Sequence, residues 1–419
     1  MFASYRRILA LPGALAFTLT GLLARLAMSM AGVSAVVLIA ERRGSYALAG
    51  AVSAAGLATL AVGLPLLGRL VDRHGQARVA VPAVLAAGLP MAGLLLCVRF
   101  GAPDWTLFLC WACSSTVPNV GGMVRARWAH LLRTDEAGRH LANSFEQALD
   151  ELCFMFGPVL AVLLCRALVP EAGLVASAVF GATGVLLLAA QRGTEPPAAP
   201  VLPEAATAGR AAGGRGGLWV LLPMFLATGV VFGSMDVTTI AYTDATGHGS
   251  LAGLLLGLVA AGSCVSGLVF GLLRPRRGPV ARLLGGVAAM AALMLLPAAA
   301  GLSGAGPAVL AAALFLAGSG TAPTMVSGMT LVQRLLPAGR LNEAMAASVS
   351  AILVGVSAGS ALGGVVAQHA PAGTGYLVPA AAAATALLVA ASGARLLREP
   401  GDAAPDGDSP ARRPVPAMD

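Results

Sequence analysis

Twelve stretches of this chain are long and apolar enough to cross a lipid bilayer as helices, and that succession leaves few folds open. A hydrocarbon core of about 30 Å takes roughly 20 apolar residues in helical form. Irregular backbone cannot leave its N–H and C=O groups unpaired in lipid. The stretches fall at 11–39, 46–70, 79–99, 105–129, 141–166 and 172–191, and after a gap at 218–242, 250–273, 280–300, 306–332, 341–368 and 374–397. Only 11% of the 419 residues are charged, 57% are hydrophobic, and the mean hydropathy is +0.82. A soluble chain carries about a quarter charged residues, so the composition excludes an ordinary cytosolic enzyme. The apolar run after Arg7 is too long for the core of a signal peptide and reads as an uncleaved first span. The gap at 192–217 is rich in Ala, Gly and Pro and reads as a flexible cytoplasmic linker; the Pro/Asp/Gly-rich tail from 399 to 419 reads as disordered. The expected architecture is an all-α membrane protein of two six-helix bundles, residues 1–191 and 218–398.

The charges fix an orientation. All 27 basic residues are arginine. With the N-terminus inside, 21 of them fall on inside segments and four on outside segments, and an inverted chain or an odd span count destroys the asymmetry. Both termini are therefore expected in the cytoplasm, in a multi-pass protein of the inner or cell membrane. The net charge of +8 becomes a topology signal, and no nucleic-acid partner is expected. The six cysteines all lie in apolar segments, so no disulfide framework is expected. Cys110-Trp-Ala-Cys113 lacks the second pair a metal site needs.

The two halves repeat one design at a spacing of about 205 residues. Leu48-Ala-Gly50 matches Leu251-Ala-Gly253, and Gly68-Arg-Leu-Val-Asp-Arg-His-Gly75 matches Gly271-Leu-Leu-Arg-Pro-Arg-Arg-Gly278. Thr116-Val-Pro118 matches Thr321-Ala-Pro323, and Gly138-Arg139 matches Gly339-Arg340. Six spans per repeat keep the same orientation, which implies a pseudo-two-fold axis along the membrane normal. The loop Gly68-x-x-x-Asp72-Arg73-x-Gly75 resembles the signature loop of the major facilitator superfamily, although Gln76 and Ala77 stand where two basic residues are usual. Arg125-x-Arg127-Trp128, Glu146-x-x-x-Asp150-Glu151 and Gly157-Pro158 are similar to a bacterial efflux-type subgroup. The glycine pattern of the antiporter signature is not reproduced around Gly157-Pro158. The resemblance implies a secondary transporter working by alternating access, with helices 1 and 7 facing each other across a central cavity.

Ionisable residues inside a span are costly and are functional candidates by default. Arg25, Arg125, Glu146, Asp150, Glu151 and Asp236 are the main ones, with Glu343 placed where a carboxylate suits a helix start. Arg125 and Glu146 reach similar depths and read as a structural ion pair. Arg25 and Asp236, on repeat-related helices and about one turn apart in height, read as a pair across the cavity; Arg25 could instead reach the helix 5 acids of its own half. Asp150 and Glu151 lie about 13 Å into their helix with few arginines in reach, so each is a proton or cation carrier or a structural acid. Two carboxylates this close in a poorly hydrated site do not both ionise readily. Asp72 is expected to meet the N-terminus of helix 11 near Leu341 and to act as a gate. The five histidines read as surface residues. Two small-residue stripes, Gly355-x-x-x-Gly359-x-x-x-Gly363 and Gly267-x-x-x-Gly271, suit either tight packing or a sliding interface.

No Walker A, H-E-x-x-H or G-x-S-x-G motif occurs, so neither ATP drive nor hydrolysis is indicated and no cofactor or metal is expected. The reading is a monomeric, proton-coupled transporter of a small molecule, more an exporter than an importer. Its rivals are a proton-coupled importer and a non-transporting membrane sensor or assembly protein.

Overall fold

The computed structural model describes residues 2–198, 204–248, 251–273 and 278–397, and no strand occurs among them. A short amphipathic helix, α1 (Phe2–Leu9), precedes α2 (Ala14–Arg43), α3 (Tyr46–His74), α4 (Gln76–Arg99), α5 (Asp104–Ser114), α6 (Val120–Leu131), α7 (Glu136–Ala167) and α8 (Ala172–Ala190). The second half holds α9 (Glu204–Ala245), α10 (Ala252–Leu272), α11 (Pro279–Leu293), α12 (Leu295–Leu302), α13 (Pro307–Ser319), α14 (Thr321–Leu335), α15 (Leu341–His369) and α16 (Leu377–Ser392). The tail from 399 and Arg274–Arg277, where the second repeat carries Pro275 in place of Asp72, lie outside the described residues.

Among the described residues eleven helical segments are long and apolar enough to span a membrane. The twelfth expected span, 105–129, is divided into α5 and α6, each too short to cross alone. Pro118 has no N–H to give and crowds the preceding turn, so the helix stops, and Asn119 restarts it by accepting from the Gly122 N–H at 3.1 Å. The repeat-related span breaks at Gly320, between α13 and α14, just before Thr321-Ala-Pro323. One motif therefore interrupts both halves at the same place. The segment read as a flexible linker is helical from Glu204, where α9 begins.

Two bundles form, each with its own core. Leu221, Met224, Phe225, Leu283, Met290 and Leu314 lie in the centre of the second. In the first, Phe17, Val124, Trp128 and Leu188 pack at the arginine-rich end, and Leu38, Leu94, Leu107 and Trp111 at the other. Large apolar side chains such as Leu89, Val62 and Leu388 remain exposed, as lipid-facing surfaces require. The Gly355-x-x-x-Gly359-x-x-x-Gly363 stripe of α15 packs within the second bundle: a Cβ on Gly355 would lie 2.0 Å from the Leu226 carbonyl oxygen of α9. The other stripe lies between the halves, where a Cβ on Gly271 would lie 2.5 Å from the Cβ of Ser144 on α7. Tight packing is thus the role of one stripe and the inter-bundle seam the place of the other.

Arg127, counted from sequence among the topology-setting arginines, is fully buried. Its Nε donates to Gln76 Oε1 (2.8 Å), Nη1 to Thr194 Oγ1 (2.8 Å) and the Gln191 carbonyl (2.9 Å), and Nη2 to the Leu188 carbonyl (3.0 Å). It ties α6 to the start of α4 and to the C-terminal end of α8, whose free carbonyls and dipole favour a cation.

Candidate functional site

The long helix α7 carries the site, because its polar residues at 143, 146, 147, 150 and 151 interrupt an otherwise apolar sequence and must face protein. Glu146 is fully buried. Its Oε1 accepts from Trp128 Nε1 at 2.7 Å, and its Oε2 lies 2.6 Å from Arg25 Nη2. One turn on, Asp150 accepts from Arg25 Nη1 through Oδ1 (2.7 Å) and from Arg125 Nη2 through Oδ2 (2.6 Å). Two guanidiniums and two carboxylates from α2, α6 and α7 make a neutral cluster inside the first half.

This geometry corrects three expectations. Arg125 does not pair with Glu146; it pairs with Asp150, and Arg25 takes Glu146, because Arg25 reaches across from α2 between the two acids. Arg25 is accordingly not the partner of Asp236, whose side chain on α9 is exposed and makes no ion pair among the described residues. Asp150, expected to lie beyond the arginines, is held by two. The same cluster leaves Glu151 aside. Among the described residues no arginine reaches its carboxylate, and its Oε1 instead accepts from Gln147 Nε2 (3.0 Å) and from Ser263 Oγ of α10 (2.9 Å). Ser263 accepts in turn from Thr321 Oγ1 at 2.8 Å. Glu151 is thus a membrane-depth carboxylate bonded across the two halves through neutral donors only.

A second set of contacts closes the halves at the arginine-rich end. Asp72, near the end of α3, accepts from the Asn342 N–H (3.1 Å), the Glu343 N–H (2.9 Å) and Asn342 Nδ2 (2.8 Å) at the start of α15. This is the helix N-terminus that the dipole argument pointed to. The close approach needs a residue without a side chain: a Cβ on Gly68 would lie 2.6 Å from the Asn342 carbonyl oxygen. Gly75, with φ 92°, turns the chain into α4 beside Arg73. Asn143 bonds Thr330 Oγ1 (3.1 Å) and Gln333 Oε1 (2.7 Å), and Glu136 pairs with Arg334 and Arg282. Tyr5 of α1 donates to the Leu268 carbonyl at 2.7 Å. His140, read as a surface residue, is buried here, its ring nitrogens meeting the Phe270 carbonyl (2.9 Å) and Arg282 (3.3 Å).

Sequence reasoning missed Ser263, Gln147 and the Asn143–Gln333 pair. Neutral polar side chains in apolar helices usually satisfy themselves on their own backbone, so nothing flagged them. Among the described residues no group of three or more metal-ligating side chains comes together.

Comparison with known proteins adds a family description. The Major Facilitator Superfamily model matches residues 17–307. Among curated proteins none matches the sequence. The fold is similar to that of a bacterial homologue of the iron transporter ferroportin in an outward-facing state, at 18% identity and a TM-score of 0.71, covering 91% of this chain and 99% of that one. It is similar to the human organic anion transporter MFSD10 at 17% identity and a TM-score of 0.67, covering 92% and 99%. The E. coli fucose:proton symporter FucP is similar at 15% identity and a TM-score of 0.61, covering 90% and 99%.

Proposed function

This chain belongs to the Major Facilitator Superfamily, and from that premise we propose that it is a proton-coupled secondary transporter that exports a small molecule by alternating access. The observation that carries the coupling is Glu151, a carboxylate at membrane depth that bonds both halves and has no cation beside it among the described residues. Such a group can hold a proton when it faces one side and release it when its surroundings change. The neutral Arg25–Arg125–Glu146–Asp150 cluster is the scaffold beside it. Asp236 on α9 supplies a second, exposed carboxylate for a substrate to meet. A carboxylate that can hold a proton or a cationic group, but not both at once, produces exchange, and exchange against the inward proton gradient is export.

The orientation belongs to the same proposal. The 21-to-4 arginine split places the arginine-rich end, and both termini, in the cytoplasm of the inner or cell membrane. The polar contacts around Asp72 then close the cytoplasmic side, and this conformation is the outward-facing one. Alkaline phosphatase fused near Arg210 and at the C-terminus should be inactive, and the same reporter fused after Arg42 or Arg166 should be active. An active reporter at either of the first two positions overturns the orientation.

The coupling is tested in vesicles. A deletion strain screened for altered sensitivity over a broad compound panel supplies the substrate, and its accumulation is then followed with an imposed pH gradient. Glu151→Gln is expected to abolish gradient-driven accumulation and keep downhill exchange, while Asp150→Asn lowers protein yield. A Glu151→Gln variant that still accumulates substrate against its gradient removes Glu151 from the mechanism. The rival is proton-coupled import, which the likeness to a fucose:proton symporter raises. Accumulation in right-side-out vesicles with an inward proton gradient would select it over export.

A further inference from the structure

We propose that Ser263, held in place by Thr321, is a positioning residue through which the second half senses the charge on Glu151; the proposal rests on the reading of Glu151 as proton carrier. The geometry is one-directional. A hydroxyl has one proton: with Glu151 ionised that of Ser263 goes to Oε1 at 2.9 Å, which leaves Ser263 to accept from Thr321 Oγ1 at 2.8 Å, whose own single proton is shared between Ser263 and the Gly318 carbonyl, also at 2.8 Å. Ser263 and Thr321 are both buried, 2% and 1% exposed, which keeps water from competing. Gly262 lets α10 come close to α13, since a Cβ there would lie 2.0 Å from the Phe315 carbonyl oxygen. That approach sets Ser263 on α10 beside Thr321 at the start of α14.

Glu151 Oε1 thus receives two donors, one from each half, while Oε2 has no hydrogen-bond partner. Oε2 is therefore the oxygen whose lone pairs are left to take a proton. A proton arrives at Oε2. Once it does, both bonds at Oε1 change from charge-assisted to neutral and weaken by about half. The Gln147 bond lies within α7 and its loss moves nothing. The Ser263 bond joins α7 to α10, so the seam between the halves loosens when Glu151 is neutral and tightens when it is ionised.

The neighbouring charges do not override this. On α7, Asp150 is engaged by Arg25 of α2 and Arg125 of α6; on α10, Cys264 stands next to Ser263; α14 contributes the neutral Thr321; and α9 carries Asp236, which makes no hydrogen bond to Glu151. The hydroxyl of Ser263 is therefore the contact from the second half that distinguishes the two protonation states.

The test needs no substrate. Spin labels on the two halves of the purified full-length protein report their separation by double electron–electron resonance between pH 5 and 9. The wild type should change separation with pH, and Glu151→Gln should lose that response. Ser263→Ala should flatten that response and hold the halves at the low-pH separation of the wild type, because the ionised Glu151 has lost its donor from the second half. Ser263→Thr, which keeps the hydroxyl, should restore the response, and this rescue separates positioning from general damage. A pH response that survives in Glu151→Gln, or is absent from the wild type, overturns the carrier reading and this inference with it. A response abolished by Glu151→Gln but unchanged in Ser263→Ala overturns the role of Ser263 alone.

Discussion

Arg25→Ala is expected to cost about 3–5 kcal/mol of stability, because it leaves the fully buried Glu146 without its cation and takes one of two guanidiniums from Asp150. A charge stranded in a low-dielectric interior loses far more than the bond that was removed. Protein yield and the detergent melting temperature should both fall sharply. The paired change Arg25→Met with Glu146→Gln should recover most of the loss. It removes one charge of each sign, leaves Arg125 with Asp150, and keeps an amide oxygen for Trp128 Nε1 to donate to. Combining Arg25→Ala with Asp236→Ala should recover nothing, since Asp236 is not its partner. Recovery in that second combination, and none in the first, would contradict the cluster described here.

Asp72→Asn is expected to shift the balance between closed and open states of the arginine-rich end by about 30- to 150-fold, or about 2–3 kcal/mol. The carboxylate receives two backbone N–H groups and one side-chain amide at a helix start, where both its charge and its second oxygen count. Asparagine keeps one acceptor oxygen and turns an NH2 toward the remaining N–H. Label distances between the α3–α4 turn and the start of α15 should broaden toward the open state, with transport reduced and melting temperature little changed. A closed population equal to that of the wild type would show that the other contacts, at Asn143, Glu136 and Tyr5, suffice without it.

The spans were legible in the sequence because a bilayer imposes a length that few other environments do, and the linker edge and broken helices were the only departures. Thr116-Val-Pro118 lies inside a stretch of ample hydropathy, so its break appears only when backbone hydrogen bonds are followed. The Asp72 contact was legible because a carboxylate in a glycine-bounded turn has one natural destination, a helix N-terminus. The pairing of Arg25, Arg125, Glu146 and Asp150 was not. Depth can be counted at 1.5 Å per residue, but which of two acids a guanidinium takes depends on helix rotation and tilt. What Glu151 turns toward, Ser263, was not legible either, because it depends on the packing of α10 against α7. His140 escaped notice because the end of a span reads as surface until a second bundle covers it.

The four charges gathered around Asp150 sum to zero and all belong to one bundle. When that bundle tilts, they move together and carry no net charge through the membrane field. One elementary charge moved through a potential of roughly 100 mV changes the energy by about 2.3 kcal/mol, and this cluster is exempt. Voltage can act on the switching step only through groups outside it, chiefly Glu151 and Asp236. On the proposed carrier role of Glu151, the tilt of the first bundle should be electrically silent while that carboxylate is protonated, and the membrane potential should act on the half-cycle in which it is ionised.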